Sequence, residues 1–548
     1  MVSKLEEIGD RWIDANPGFG QFLDIKRAFG KVPSLSKEAI QKRVAEVMDQ
    51  LAYVESFLDQ VDKNQKIIYL EGLLVETRLR QEVYNLTERK PFEDTPAAFF
   101  ENLFSIPQVY SVRSYASVDT RVRHIIETEK GVIENLKIAP NQLNEILPRD
   151  KIVNSDLMLG ANIAYFKDKL IDFVAQAKDS GLVEEWTTIN QALVSELEKF
   201  KDYLDGKLEN ASDGFALGKE KYLQILARNE LVDLTVERLL EIANRDLERN
   251  YSMLMSIKDR EGDDFLDKIM NDKPKPEDLY KEAAAATERS KQFVIDQDLV
   301  TIPDLTAQVK VVETPMAMRA FTFAAMNPSG IGEDAVNDES FYYITTPDAD
   351  WDEERKSEYM KSFARGALET VTIHEVWPGH FLHILWIKTL KSKIVRQLSF
   401  SITTLEGWAH YTEELAIELG YDLYDHTSVH VGQLQWALVR NCRFVASIKM
   451  HTQGMTVEEA KYLFIEKGLL TEDAALKEAR RGVDNPEYLN YTLGKLMIMK
   501  LREDYKKEKG DSFSLKEFHD NFMKYGATPV ALLRKLLLEN PGSDSEIL

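Results

Sequence analysis

The sequence predicts a mainly α-helical fold with one small β element. Apolar residues recur three and four apart through most of the chain, the spacing that lines one face of a helix. A short stretch near residues 305–347 breaks that pattern with β-like runs ended by prolines. Seven of the nine histidines fall between residues 374 and 451, so the C-terminal helices carry the chemistry.

The elements follow in order. Ile40, Val44, Val47, Met48 and Leu51 mark a helix face, and so do Leu193, Leu197, Phe200 and Leu204. The intervening Glu, Lys and Gln residues read as solvated faces. Lys-Pro-Lys-Pro at 273–276, followed by two acids, breaks this helical half and starts a new helix that runs to about Gln297. Residues 308–314 and 340–346 are strand candidates, with the Asn-Pro-Ser-Gly-Ile-Gly loop of 327–332 between them. From Trp351 onward the chain reads as helix again. The expected organisation is a helical region over 1–270 that covers a cleft and a catalytic region over 271–548, with one continuous domain as the alternative.

Composition narrows the function. The chain has 548 residues, 44% apolar and 29% charged, with a formal net charge of −23. That charge argues against nucleic acid and anionic membrane as main partners, since a phosphate surface calls for a positive one. The single cysteine, Cys442, excludes an intramolecular disulfide and a cysteine-based zinc site, and fits a reducing, cytoplasmic setting. Cys442 itself reads as a buried structural thiol. The N-terminal residues contain no apolar signal-peptide core, and no run of about 18 apolar residues predicts a membrane span.

The most informative stretch is His374-Glu-Val-Trp-Pro-Gly-His380. A histidine followed by a glutamate, with a second histidine nearby, is how zinc hydrolases join a metal ligand to a general base. His374 is the expected ligand. Glu375 is the expected base, because a charged residue within such an apolar helix is costly unless it is paired or functional. The second ligand breaks the usual H-E-x-x-H spacing. On an ideal helix His380 points about 120° away from His374, and the positions that return to its face are Pro378 and Phe381. Pro378 and Gly379 are expected to kink the helix and bring His380 round. Failing that, the site lacks its second histidine. Glu406 and His410 share a helix face four residues apart. Glu406 is the preferred third ligand and His410 its supporting partner. His410 as an additional ligand, and Glu413 or Glu414 as donors, are the alternatives. His383, His426 and His430 read as structural histidines.

Four ordered segments resemble the domain-of-unknown-function 885 family, which is grouped with the gluzincin metallopeptidases. They are His374–His380, Glu406–Leu415, Arg443–Gly454 and Arg480–Gly494. Two departures stand out: Phe381 replaces the family's second consecutive histidine, and Ser447 replaces an aspartate. The resemblance implies a helical gluzincin-like fold with a small sheet beside the active-site cleft, and zinc held by two histidines and a glutamate. It also implies hydrolysis of peptide bonds in short peptides. His451 and Tyr491 fit the residues that stabilise the developing oxyanion. Arg443 and Arg480 fit a fork for a substrate carboxylate, with structural salt bridges as the alternative. Residues 340–346 fit the strand edge against which an extended peptide lies. Two other readings stay open: a metal-dependent hydrolase of a non-peptide amide or ester, and an inactive peptide-binding protein, which Phe381 favours.

Overall fold

The computed structural model describes residues 2–548 except 263, 320–321, 333–338, 422–425 and 543–546. It is mainly helical, with one three-stranded sheet. Helix α1 (Val2–Ala15) shows why the apolar spacing matters: Leu5, Ile8, Trp12 and Ile13 are its buried stripe. Helices α2 (Val118–Gln142) and α3 (Ser180–Lys207) pack together, each started by a side chain that caps a free backbone N–H, Ser117 and Asp179 respectively.

The apolar core does not divide at residue 270. One buried cluster runs from Leu5 to Ile547 and joins helix α4 (Val236–Glu261) to the C-terminal helices. A second gathers residues from Phe29 to Leu204 around α2 and α3. The N-terminal region is therefore shared between two cores. The physical reason is that α4 buries Leu239, Ile242, Leu247 and Leu254 against the C-terminal helices rather than against its sequence neighbours.

After α5 (Leu279–Asp296) come strands β1 (Gln308–Glu313), β2 (Ala324–Asn327) and β3 (Glu339–Ile344). The order is β1-β3-β2, with β3 parallel to β1 and antiparallel to β2. This corrects one expectation. The strand within 340–346 is central, so both its edges are already paired, and the edges of the sheet belong to β1 and β2. β2 lies in a stretch to which the sequence assigns no element, and its last residue, Asn327, opens the expected loop. Its four residues are too short for a visible alternation, and Asn327-Pro masks its end.

Six further helices build the candidate site: α6 (Arg365–Glu375), α7 (His380–Thr389), α8 (Ile402–Glu418), α9 (His426–Thr452), α10 (Glu472–Asp484) and α11 (Asn490–Lys509). Two glycine pairs let them touch backbone to backbone. A Cβ on Gly494 of α11 would lie 1.9 Å from the Thr403 carbonyl oxygen of α8, and one on Gly407 would lie 2.5 Å from Gly494. Gly366 of α6 and Gly432 of α9 form the second close crossing, where a Cβ on Gly432 would meet Gly366 at 2.4 Å. Helices this close hold the side chains on either side of each crossing in a fixed relation. Behind them Lys495, fully buried, bonds Glu414 at 2.8 Å and Asp246 at 3.1 Å, tying α11 to α8 and α4. Among the described residues no helix is long and apolar enough to cross a membrane.

Candidate metal centre

α6 ends at Glu375 and α7 begins at His380, so the His-Glu helix does not continue straight. Between them the chain folds back over its own last turn, and the Gly379 N–H donates to the Ile373 carbonyl at 3.0 Å. A Cβ on Gly379 would sit 1.8 Å from the His374 carbonyl oxygen, so only glycine fits there. The buried Trp408 indole N–H donates to the Pro378 carbonyl at 2.8 Å and pins the turn from α8. The break delivers His380 to His374, their rings 4.8 Å apart and nearly perpendicular. Phe381 points elsewhere. It is buried with its ring 5.0 Å from that of Trp377.

Glu406 completes the group. Its Oε2 lies 3.4 Å from His374 Nε2 and 3.3 Å from His380 Nε2, and the three ligand atoms all lie within 4.8 Å of one another. These separations are long for hydrogen bonds, and Glu406 Oε2 is buried without a hydrogen-bond partner. The two oxygen–nitrogen separations match the edges of a tetrahedron with arms of about 2.0–2.1 Å, which measure about 3.3–3.4 Å. The donor set of two imidazoles and one carboxylate fits zinc.

The far side of His374 is equally specific. Its Nδ1 lies 2.6 Å from Glu413 Oε1, a carboxylate acceptor, which turns Nε2 toward Glu406. Glu413 is fully buried and is itself held by Arg440, at 2.9 and 3.0 Å, and by His410 Nδ1 at 3.3 Å. Burial and the Arg440 charge push the His374 imidazole down. The close Glu406 carboxylate, the bond to Glu413 and the Glu413 charge outweigh them and raise it to about 9. Burial acts to raise Glu406, but the charges and close approach of His380 and His374 hold it well below the usual carboxylate range.

Glu375 is buried beside this group, and its Oε2 accepts the Met326 backbone N–H of β2 at 2.7 Å. Burial pushes its carboxyl up, and the two histidines pull it only part of the way back. Tyr491 is also brought in: its ring stacks on that of His374 with centroids 6.3 Å apart, and the Glu406 charge acts on its hydroxyl.

Four expected residues are placed differently. His451 lies on α9 eleven residues beyond Arg440, about 16 Å along the axis. It packs between Tyr222 and Phe215, with Nε2 at 2.8 Å from the Gly482 carbonyl. It is a core histidine, apart from the centre. The Arg480 charge acts on Asp150, and its backbone carbonyl accepts the Asn154 side-chain N–H, so Arg480 lies against the N-terminal region. Arg443 lies over the Tyr491 ring at 5.0 Å, but its fork is filled by two 2.7 Å bonds to Glu478, so it is structural. His410 supports Glu413 rather than Glu406. Glu414 pairs with Arg249 and Lys495. His383 is buried against Trp408 and Phe522, as a structural histidine should be. The side chain of His426 lies outside the described residues.

Sequence reasoning missed the partner role of Glu413, the buried Arg440 and the Met326 anchor. Glu413 was findable, because it stands seven residues after Glu406 and so returns to the same helix face. Arg440, inside the run Trp-Ala-Leu-Val-Arg-Asn-Cys, offered only the oddity of a charge in an apolar stretch. Met326 offered no signal, since it acts through its backbone.

No curated protein matches this chain. Solved structures do. One from Shewanella oneidensis, described as a "putative lipoprotein of unknown function", superposes with a TM-score of 0.80 at 21% identity, over 98% of this chain and 100% of that one. One from Colwellia psychrerythraea, described as a "putative lipoprotein", gives a TM-score of 0.78 at 18% identity, over 100% of this chain and 99% of that one. At these identities the likeness concerns the fold. Residues 17–537 match a family of bacterial proteins of unknown function, DUF885, and the chain belongs to that family.

Proposed function

We propose that the protein is a zinc-dependent peptidase of gluzincin type acting on short peptides. The observation that carries this reading is the unpartnered Glu406 Oε2 facing two imidazole Nε2 atoms at 3.3–3.4 Å, beside a buried Glu375 that makes no ion pair among the described residues. His374, His380 and Glu406 would hold the ion. When bound, the ion supplies Lewis acidity, which acidifies water and polarises a carbonyl.

The chain's own residues do the rest. Glu375 takes the proton of the attacking water and passes it to the departing amine nitrogen. Its raised carboxyl suits both halves of that transfer. The Met326 N–H fixes which way the carboxylate points. The Tyr491 hydroxyl is the nearby donor suited to the oxygen where negative charge develops. Glu413 and Arg440 hold His374 in orientation. Pairing alternates along β2, so Met326, which faces Glu375, and Ala324, two residues before it, turn their backbone groups away from β3. This edge could align an extended substrate.

The test is metal analysis joined to a peptide-library digest. Glu375→Gln should keep one zinc per chain and lose roughly 10²–10⁴-fold in rate. Substantial residual activity would falsify the base assignment, and absence of zinc after purification without chelator would favour a binding-only protein. A cytoplasmic setting is part of this reading, supported by the single buried thiol of Cys442, and fractionation of cells tests it.

A further inference from the structure

We propose that Arg481, with Lys477 one helical turn before it, receives a carboxylate of the substrate. This rests on the peptidase reading and names the kind of peptide the centre takes. The two cations stand four residues apart on one face of α10, a spacing at which like charges repel. Among the described residues neither pairs with a carboxylate, in a chain with 92 acidic residues against 69 basic ones. The charges of Arg443, Arg481 and Lys477 all act on one acid, Glu478, and Arg443 occupies both its oxygens at 2.7 Å. A local positive surplus is therefore left facing solvent.

That surplus borders the metal centre. Exposed Arg481 donates to the Tyr491 hydroxyl at 3.3 Å, and its guanidinium carbon lies 5.8 Å from the Tyr491 ring centre. The Tyr491 ring lies 6.3 Å from that of His374. Laid end to end, these separations place the guanidinium within about 12 Å of the His374 ring. An extended residue spans about 3.3–3.6 Å, so a carboxylate met there lies within about three residues of the bond at the centre. Arg440 and Arg443 cannot serve, because Glu413 and Glu478 fill their forks. Arg481 keeps most of its five N–H donors for a planar, two-point contact.

The carboxylate comes either from the peptide's C-terminus or from an acidic side chain, and the test separates the two. Binding is measured by calorimetry on full-length, zinc-supplied Glu375→Gln protein. The probes are an N-blocked tripeptide with a free C-terminal acid, its C-terminal amide, and an amide ending in glutamate. The free acid should bind about ten to a hundredfold more tightly than the plain amide. Adding Arg481→Ala should erase that difference, while Arg481→Lys keeps part of it as a point charge. The glutamate amide will follow the free acid if a side-chain carboxylate suffices, and the plain amide if the chain end is read. Equal binding of acid and amide, an equal loss for both on Arg481→Ala, or no binding of either overturns the proposal. Cleavage by the wild type is scored separately. Cleavage without a carboxylate preference ends this inference and leaves the peptidase reading. An Arg481-dependent preference in binding, with no cleavage, does the reverse.

Discussion

His374 and His451 are both buried imidazoles in the last turn of a helix, yet their surroundings make them opposites. His374 stands between two carboxylates, Glu406 and Glu413, which raise it to about 9. His451 stands between two aromatic rings and a backbone carbonyl, and burial pushes it down to about 4. One site attracts a cation and the other excludes charge. What separates a proposed metal ligand from a packed core histidine is therefore the company of the ring, since exposure, 3% and 1%, is nearly the same.

The sharpest way to break this contrast is to delete each ring. His380→Ala should abolish stoichiometric zinc and activity, whereas His451→Phe should leave zinc content and kcat/KM near wild type. Metal analysis and steady-state rates on both variants decide it, and zinc loss in His451→Phe would undo the separation of the two sites. A smaller effect is expected at the supporting carboxylate. Glu413→Gln keeps the size of the group but weakens its hold on His374 Nδ1, and zinc affinity should fall about 10–100-fold in a chelator competition. Wild-type affinity would mean that Glu413 is only packing.

The smallest effect concerns pH. The folded value of His451 lies below its ordinary 6.5, so the unfolded chain binds more protons between those values. The contribution of a neutral His451 is complete above pH 6.5 and is lost as pH falls to about 4. At 1.36 kcal/mol per pH unit this amounts to at most about 3 kcal/mol. Denaturant midpoints measured from pH 7 to 4 should fall more gently in His451→Phe than in wild type. Parallel curves would place the acid sensitivity elsewhere.

Much of the centre was legible because its parts are local. His374-Glu375 and Glu406 announce themselves by residue type and helical spacing, and Pro378-Gly379 announces the break that delivers His380. His451 and Arg480 misled because a motif records order along the chain and not distance in space. Helix α9 carries His451 about 16 Å past Arg440. Arg480 and Arg481 are neighbours in sequence, but about 100° of helical turn separates them, so one faces the N-terminal region and the other Tyr491. The role of Phe381 could not be read either, since only the turn direction after Gly379 decides which of two adjacent side chains reaches the metal group.

By itself the sequence determined the helical character, strand candidates over 308–314 and 340–346 that meet β1 and β3 within two residues at each end, the His-Glu pair and its glutamate partner. All of these follow from periodicity and residue chemistry within a few turns. Only the tertiary structure decided that β3 is central, that Glu413 and Arg440 orient His374, that Met326 aims Glu375, and that Arg481 borders the centre. Each depends on helices or strands far apart in sequence meeting at fixed distance, as at Gly407 and Gly494, where the absence of two side chains lets backbones touch. Close packing converts such contacts into directions for side chains, and no local pattern encodes the direction.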